Sequence, residues 1–326
     1  MEEYDLSIDL FERFNMNVYD VAPCKDMFTL YTDKGTKMLK KIDYDICELE
    51  FINQALNYVK KKFNRVPNFE KDLKGDIYTI FNEKIYCILN TKEGSKCKLN
   101  SFKDLETTVE SLAEFHMASK GFKSNVSCRN NYNNMVSRIR KKREELKLFK
   151  KIIKVKDSKN ELEKIYDDNI DYIIYKIDEG IKVLNGSFYK ELCSDIGKIA
   201  ICGNQHFYSD IVIEENKAYF NNFDNFNLNL RVYDLCSLIN KLIKYDNFNL
   251  DLLEKVVSRY DSLCKLDYRE TEVLYGMLFF PYDFYSIFKE YFLGTKNIEY
   301  SNLLLKAKNS IKYMNSRKKL LNKMRL

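Results

Sequence analysis

The chain of 326 residues contains no tryptophan, three prolines and ten glycines. Proline and glycine interrupt regular structure more than other residues, so their scarcity predicts long helices with a modest amount of sheet. Hydrophobic residues make up 45% of the sequence and aromatic residues 14%, which supplies the apolar surface of a large core and excludes a disordered chain. The length fits one two-lobed domain or two domains of ordinary size.

Histidine is equally scarce, since His116 and His206 are the only two. A catalytic triad would need His206 together with a nucleophile such as Cys202, so hydrolase chemistry is disfavoured. We expect His116 to be a partly buried histidine with its hydrogen bonds satisfied, not a catalyst.

Paired cysteine motifs are missing as well. The nine cysteines form no CxxC or CxxxC pair, which excludes the usual zinc and iron–sulfur spacings. Most of them are expected to be buried structural thiols, although an oxidised extracellular layer could cross-link some.

Long apolar runs are absent from the sequence. No stretch reaches the roughly 18 residues that a membrane span needs, and the first residues, MEEYDLSIDLF, lack the basic start and apolar run of a secretory signal. We therefore expect no membrane insertion, synthesis in the cytoplasm and reduced thiols there.

The formal net charge is +6, with 54 basic and 48 acidic residues interspersed. The densest basic run, RIRKKR at 138–143, is followed at once by two glutamates, and a second cluster lies at 317–319. Solvated helix faces explain both runs, so a nucleic-acid partner is not expected.

The hydrophobic periodicity predicts the order of the elements. A short helix at 4–16 precedes three strands at 18–21, 27–32 and 37–42, a helix at 44–63 and two strands at 76–81 and 84–90 that are joined by a turn at Asn82 and Glu83. After the polar stretch 91–100 the pattern is that of long helices, interrupted once by short strands between Ile199 and Phe226. The prediction is an α+β fold of two lobes, an order of elements that kinases and small-molecule phosphotransferases share by analogy. Residues 1–92 form a small antiparallel sheet lobe with one main helix, and residues 93–326 form a large helical lobe.

Three strings resemble a known family. They are MLKKIDYDICELEFINQAL at 38–56, LAEFHMASKGF at 112–122 and FPYDFYSIFKEYF at 280–292, in which Tyr285 stands where tryptophan is usual. They are similar to segments of the spore-coat protein S family, kinase-like proteins of endospore formers related in fold to aminoglycoside and choline phosphotransferases. The resemblance implies a kinase-like fold and residence in the spore coat.

The same resemblance implies where phosphoryl transfer would occur. In the string ICGNQHFYSDIVI at 201–213, Gln205 stands at the catalytic Asp position, and Asp210 stands at a metal-binding Asn position. Glutamine cannot accept a proton, and loss of such a base removes roughly 10² to 10⁴ from the rate. In YFNNFDNF at 219–226, Asn222 replaces the main magnesium ligand, and an amide binds magnesium more weakly than a carboxylate. Asp210 and Asp224 could together form a displaced metal site, or Asp224 could bind backbone groups instead.

Phosphate binding would fall to Lys40, with Lys41 as the alternative register. Glu48 or Glu50 on the next helix could pair with Lys40, either to position a nucleotide phosphate or as a structural strut. Residues 22–28 contain no glycine, so the chain there cannot close over phosphates as a glycine-rich loop does. Asp234 is expected to cap its helix and to tie down the site loop.

We therefore predict a noncatalytic pseudokinase with a structural or assembly role in the endospore coat, made in the mother-cell cytoplasm and partnered by other coat proteins. No cofactor is expected, ATP and magnesium being the ligands to test. Two alternatives stay open. One is an active phosphotransferase that acts on a small molecule or protein and uses Lys40, Asp210 and Asp224, and the other is a nucleotide-binding sensor.

Overall fold

The computed structural model describes residues 6–24, 27–203, 211–245, 248–294 and 299–324. The chain forms two compact units, one made of Met1–Asn130 with His206–Asn227 and the other of Asn131–Gln205 with Leu228–Leu326. The division into lobes at residues 92 and 93 stays a prediction.

The strands are β1 (Val18–Cys24), β2 (Met27–Thr32), β3 (Gly35–Ile42), β4 (Asn68–Phe69), β5 (Thr79–Phe81), β6 (Lys84–Asn90), β7 (Ser95–Lys96), β8 (Ile199–Cys202), β9 (Ile211–Glu214), β10 (Lys217–Phe220) and β11 (Asn227–Leu230). The helices are α1 (Ile8–Glu12), α2 (Ile46–Lys60), α3 (Phe102–Ser119), α4 (Met135–Lys154), α5 (Glu161–Gly186), α6 (Tyr189–Ser194), α7 (Val232–Leu242), α8 (Leu250–Leu263), α9 (Tyr268–Met277), α10 (Tyr282–Leu293) and α11 (Tyr300–Met324). Among the described residues, no helix is long and apolar enough to cross a membrane.

The main sheet of the first unit has the strand order β1-β2-β3-β6-β4, with β5 also paired to β6. The antiparallel pairing of β1, β2 and β3 confirms the predicted meander. The predicted turn between β5 and β6 is also confirmed, because Asn82 and Glu83 have φ angles of 47° and 61°, as both central residues of a type I′ hairpin turn require.

The two faces of this sheet have different neighbours. One face packs against α1 and the residues after it, in a cluster that contains Leu10, Phe11, Phe14, Met16, Leu30, Leu39, Tyr86 and Ile88. Side chains alternate along a strand, so the neighbours of Leu39 in β3, Met38 and Lys40, are directed to the opposite face. The sequence of β3 thus places a lysine on the face that α1 does not cover.

Helix α2 is amphipathic, and its buried side chains are Leu49, Phe51, Ile52, Ala55, Leu56 and Val59. A second, smaller sheet has the order β10-β9-β7. Gly94 precedes β7 where a Cβ atom would lie 2.4 Å from Cγ1 of Val212, so only glycine permits this close approach.

The second unit is mainly helical, and in it β8 pairs with β11. Helix α5 begins with a capping box formed by Asn160 and Glu163, and α9 with one formed by Asp267 and Glu270. Capping boxes satisfy backbone N–H groups that a helix start leaves unpaired, so both helices begin at residues that their sequences specify.

Candidate functional site

The predicted phosphate-binding lysine is buried in β3. Lys40 is 7% exposed, and its Nζ atom lies 2.5 Å from Oδ2 of Asp224. The ring of Phe223 lies beneath the same ammonium group at 5.7 Å. Lys41, the lysine that the alternative alignment register would place at the phosphate-binding position, pairs with the exposed residue Asp43 at 3.4 Å. The structure therefore brings together Lys40 and Asp224, two of the predicted site residues.

The carboxylate of Asp224 accepts a second hydrogen bond. The hydroxyl of Tyr44 donates to Oδ1 at 3.2 Å. Burial and the nearby charge of Asp224 raise the pKa of Tyr44 well above its ordinary value, so the hydroxyl keeps its proton and remains a donor. Asp224 is therefore held by an ammonium group on one oxygen and by a hydroxyl on the other.

Arg129 anchors the backbone that carries Asp224. Its buried guanidinium donates to the carbonyl oxygens of Asp224 and Phe226, the latter at 3.0 Å. It also lies over the ring of Tyr44 at 4.9 Å and forms an ion pair with Oε1 of Glu48 at 3.3 Å. The sequence suggested Glu48 or Glu50 as the partner of Lys40. The structure places Asp224 against Lys40, pairs Glu48 with Arg129 and leaves Glu50 exposed.

A cavity of about 400 Å³ lies beside this network, entirely within the first unit. Its wall carries Lys40, Asp224 and Asn222, together with two further lysines, Lys92 and Lys96. Asn222 thus faces the same space as Lys40, as expected for the position of the predicted magnesium ligand. Whether Asp224 takes part in a metal site stays a prediction.

The side chain of Asn221 forms two hydrogen bonds with the backbone of Lys92 at the wall of this cavity. Its Nδ2 atom donates to the carbonyl oxygen of Lys92 at 2.8 Å, and its Oδ1 atom accepts from the Lys92 N–H at 3.2 Å. The Lys92 side chain pairs with Glu214 at 2.7 Å. The N–H and the C=O of Lys92, at the wall of the cavity, are therefore already hydrogen-bonded to the Asn221 side chain.

The strands β1 and β2 pair along their length up to the cavity. Cys24 pairs with Met27, and both residues line the cavity. The strand β1 runs three residues beyond its predicted end at Val21, through Pro23, and Lys25 and Asp26 lie outside the described residues. Most of the glycine-free segment 22–28 is therefore strand.

Other predicted residues lie elsewhere. Gln205, His206 and Asp210 are outside the described residues, so their predicted roles are unchanged. His116 is 2% exposed within α3, more deeply buried than the sequence suggested. Asp234 is not the cap of α7, because Arg231 occupies that position, but its Oδ2 atom accepts the N–H of Gly203 at 2.8 Å. It therefore holds the backbone of Gly203, where the predicted site loop begins, and the rest of that loop lies outside the described residues.

Sequence reasoning missed Tyr44, Arg129 and Asn221. Tyr44 lies four residues after Lys40, between β3 and α2, which is a local signal that could have found it. Arg129 and Asn221 act through contacts with residues far away in the sequence, and nothing in their own neighbourhoods indicates those partners.

These features define the class of the protein, a protein-kinase-like α+β fold. Solved structures share it over nearly the whole chain. An aminoglycoside phosphotransferase from Alicyclobacillus acidocaldarius has a TM-score of 0.85 at 13% identity and covers 100% of this chain and 97% of its own. A microcompartment-associated aminopropanol kinase has a TM-score of 0.66 at 10% identity and covers 98% and 95%. At these identities the likeness shows the fold, and the predicted fold class is confirmed.

The chain belongs to the family described as "Spore coat putative kinase YutH", which matches residues 2–324. It is also similar to "Spore coat protein S" of Bacillus subtilis, with 20% identity over 287 residues that cover 83% of this chain and 78% of the relative. The predicted resemblance to kinase-like spore-coat proteins is therefore confirmed.

Proposed function

We propose that this protein is a noncatalytic, kinase-like component of the bacterial endospore coat with a structural or assembly role. The observation that carries the proposal is the ion pair between Lys40 and Asp224. The ammonium group that would hold nucleotide phosphates is instead neutralised by a carboxylate of the chain itself, at 2.5 Å. An incoming phosphate would have to displace a partly buried partner that is already hydrogen-bonded.

The residue types around Lys40 also argue against turnover. Phosphoryl transfer needs carboxylates that hold magnesium and a base that orients the attacking hydroxyl. Asn222 presents an amide to the cavity, and position 205 is glutamine in the sequence. An amide group carries no charge, so it neither neutralises a metal ion nor accepts a proton. Metal binding at position 222 and proton acceptance at position 205 are therefore both weakened.

The bonds of Asn221 support the same proposal. The edge of a nucleobase carries hydrogen-bond donors and acceptors, so a main-chain N–H and C=O beside a cavity could hold it only if both were available. Asn221 already occupies the N–H and the C=O of Lys92. A base that bound there would have to replace two hydrogen bonds at no net gain.

The assembly role rests on family membership. We propose that the chain is made in the mother-cell cytoplasm, is deposited in the spore coat and binds other coat proteins there, without a cofactor, a nucleic acid or membrane insertion. The interspersed surface charges fit contacts between proteins better than a polyanion-binding face.

One observation favours a second candidate. The cavity has a volume of about 400 Å³ and is lined by Lys40, Lys92 and Lys96, which would attract an anion inside it. A nucleotide sensor that binds ATP without magnesium would use these lysines for the phosphates and switch a protein contact. An active phosphotransferase that uses Lys40, Asp210 and Asp224 is the further alternative.

The test is calorimetric titration of the full chain with ATP, with and without magnesium. Three proteins are compared, namely the wild type, Lys40→Ala and the control Lys41→Ala, whose lysine pairs with Asp43 instead. We expect no binding heat and no ATP turnover in any of them. Binding without magnesium that is lost only in Lys40→Ala would establish the sensor in place of the scaffold. Magnesium-dependent turnover by the wild type would establish the phosphotransferase.

A gain-of-function variant sharpens this test. Asn222→Asp restores a carboxylate beside Lys40 and is expected to bind magnesium in the presence of ATP more tightly than the wild type does. Asn222→Ala is the matched control, since it removes the amide and adds no charge. Equal magnesium affinity in all three proteins would show that position 222 is not the degenerate ligand that we infer.

A further inference from the structure

Two exposed thiols lie together in the first unit. Among the cysteines of the described residues, Cys47 and Cys128 are exposed, and the others are buried or half-buried. Cys47 lies in the first turn of α2, and Cys128 lies in the segment after α3. Their side chains interact electrostatically with each other. The most accessible thiols of the described chain are therefore also neighbours.

The backbone around both thiols is held in place independently of them. The residues that follow them, Glu48 and Arg129, form an ion pair at 3.3 Å. Arg129 is buried and anchored to two carbonyl oxygens, and the next residue along α2, Leu49, is fully buried. The two segments are therefore already in contact, and a bridge between the thiols would join neighbouring parts of the chain.

We propose that Cys47 and Cys128 are a modification site, which closes to an intramolecular disulfide when the protein meets an oxidising environment that contains small-molecule disulfides. Both thiols are exposed, so either of them can react first with the small-molecule disulfide, and the other then closes the bridge.

The exchange proceeds in two balanced steps. One thiol of the pair loses its proton to water, and its thiolate attacks one sulfur of the small-molecule disulfide, whose S–S bond breaks and releases one thiolate. The other thiol of the pair then loses its proton to water and attacks the protein sulfur of the mixed disulfide, which releases the second thiolate. Two protein thiols are oxidised, and one small disulfide is reduced to two thiols.

The bond would tie α2 to the segment that positions Asp224. Arg129, next to Cys128, holds the backbone of Asp224, so the cross-link fixes the anchor of the Lys40 partner. It also closes a loop of about 80 residues, which restricts the unfolded chain and stabilises the folded one.

Oxidised glutathione is the probe. The full chain is treated with it and digested with trypsin without reduction, which separates Cys47 in peptide 42–60 from Cys128 in peptide 124–129. We expect these two peptides to be joined, with a mass two hydrogens below their sum, in a protein that stays monomeric. The Tm should rise by about 5 °C and return to its starting value after reduction.

Two cysteine variants test whether the disulfide forms between Cys47 and Cys128. Cys128→Ser should stop at a stable glutathione adduct on Cys47, whereas Cys24→Ser, which removes a half-buried thiol of β1, should still form the linked peptides. A persistent glutathione adduct on Cys47 of the wild type would overturn the proposal. So would dimers linked through either cysteine, or two thiols that remain free.

Discussion

The ammonium nitrogen of Lys40 lies 2.5 Å from Oδ2 of Asp224, a residue 184 positions later in the sequence. The Lys40 side chain is 9% exposed and that of Asp224 is 24% exposed, so water screens the pair only in part. In such surroundings the loss of one partner costs more than the pair contributes, because the other charge is left buried and uncompensated.

Asp224→Asn should therefore destabilise the protein. We expect the free energy of unfolding to fall by about 2–3 kcal/mol, because Lys40 loses the carboxylate that compensates its charge. Urea unfolding at neutral pH measures the change. Adding Lys40→Met to the variant removes the buried ammonium group as well and should restore part of the loss.

The matched control is Asp43→Asn, which removes the partner of the neighbouring lysine, Lys41. The side chain of Asp43 is 61% exposed, and its distance to Lys41 is 3.4 Å. We expect this variant to lie within about 0.5 kcal/mol of the wild type. Equal losses in Asp43→Asn and Asp224→Asn would contradict a special role for Asp224.

The contrast between Lys40 and its partners shows what the sequence can predict. Lys40 was found because the string around the third strand, MLKK, resembles that of the spore-coat family, and this signal is local, although it left Lys41 open as the alternative register. Its pairing with Asp224 depends on a contact between distant segments, for which the sequence offered Glu48 and Glu50 as nearer candidates. The fold was predictable because its hydrophobic periods are long and consistent. The ion pairs were not, because a charged side chain has many partners within reach.

Glu270 should make the second unit sensitive to acid. It is 1% exposed, and its carboxylate receives hydrogen bonds from Arg231 at 2.6 and 2.7 Å and from Lys198 at 2.6 Å. Burial alone would raise the pKa of Glu270, but the hydrogen bonds and charge of Arg231, together with Lys198, outweigh it and hold the pKa below its ordinary value. The unfolded chain therefore binds the proton first as the pH falls.

The stabilisation by Glu270 is thus present above its ordinary pKa near 4.3 and is lost as the pH falls from there towards the lower pKa of the folded state. Glu270→Gln cannot titrate, so its stability should lie about 3–5 kcal/mol below the wild type at pH 7 and converge with it in acid. Unfolding curves between pH 7 and pH 3 measure this. Glu272→Gln on the same helix is the control, and a constant difference at every pH would contradict the prediction.

Gly94 is predicted to tolerate no side chain. Gly94→Ala places its Cβ atom 2.4 Å from Cγ1 of Val212 and 3.2 Å from the carbonyl oxygen of Ile213, both on β9. We expect a loss of about 1–3 kcal/mol, because β7 must move away from β9. Gly186→Ala, at the end of α5 with open space around its Cβ position, should instead gain up to about 1 kcal/mol from helix propensity. Thermal unfolding distinguishes the two signs, and a stabilising Gly94→Ala would refute the argument.

Lys142 should titrate closer to neutral pH than an ordinary lysine does. Burial, together with the positive charges of Arg138 and Lys289, lowers the pKa of Lys142 to about 8. Its ammonium group lies over three aromatic rings, those of Phe280, Tyr282 and Tyr285, at 5.4, 4.8 and 5.1 Å. The rings attract the charge, which offsets part of the cost of burying it. Reductive ¹³C-methylation followed by NMR titration measures the pKa directly.

The sign of the stability effect follows from the two pKa values of Lys142. An unfolded lysine titrates near 10.4, so between about pH 8 and 10.4 the unfolded chain binds more protons than the folded one, and stability due to this group rises with pH. At pH 7 Lys142 is protonated in both the folded and the unfolded state, so the folded protein bears the full free-energy cost of burying the charged ammonium group. Lys142→Met should therefore stabilise the protein at pH 7, by about 1 kcal/mol after the loss of the aromatic contacts. This advantage should shrink as the pH approaches 10.

The control is Lys141→Met, at an exposed position of the same helix, which should show neither effect. If Lys142→Met is instead destabilised equally at pH 7 and pH 9.5, the aromatic contacts outweigh the burial of the charge and the lowered pKa is wrong.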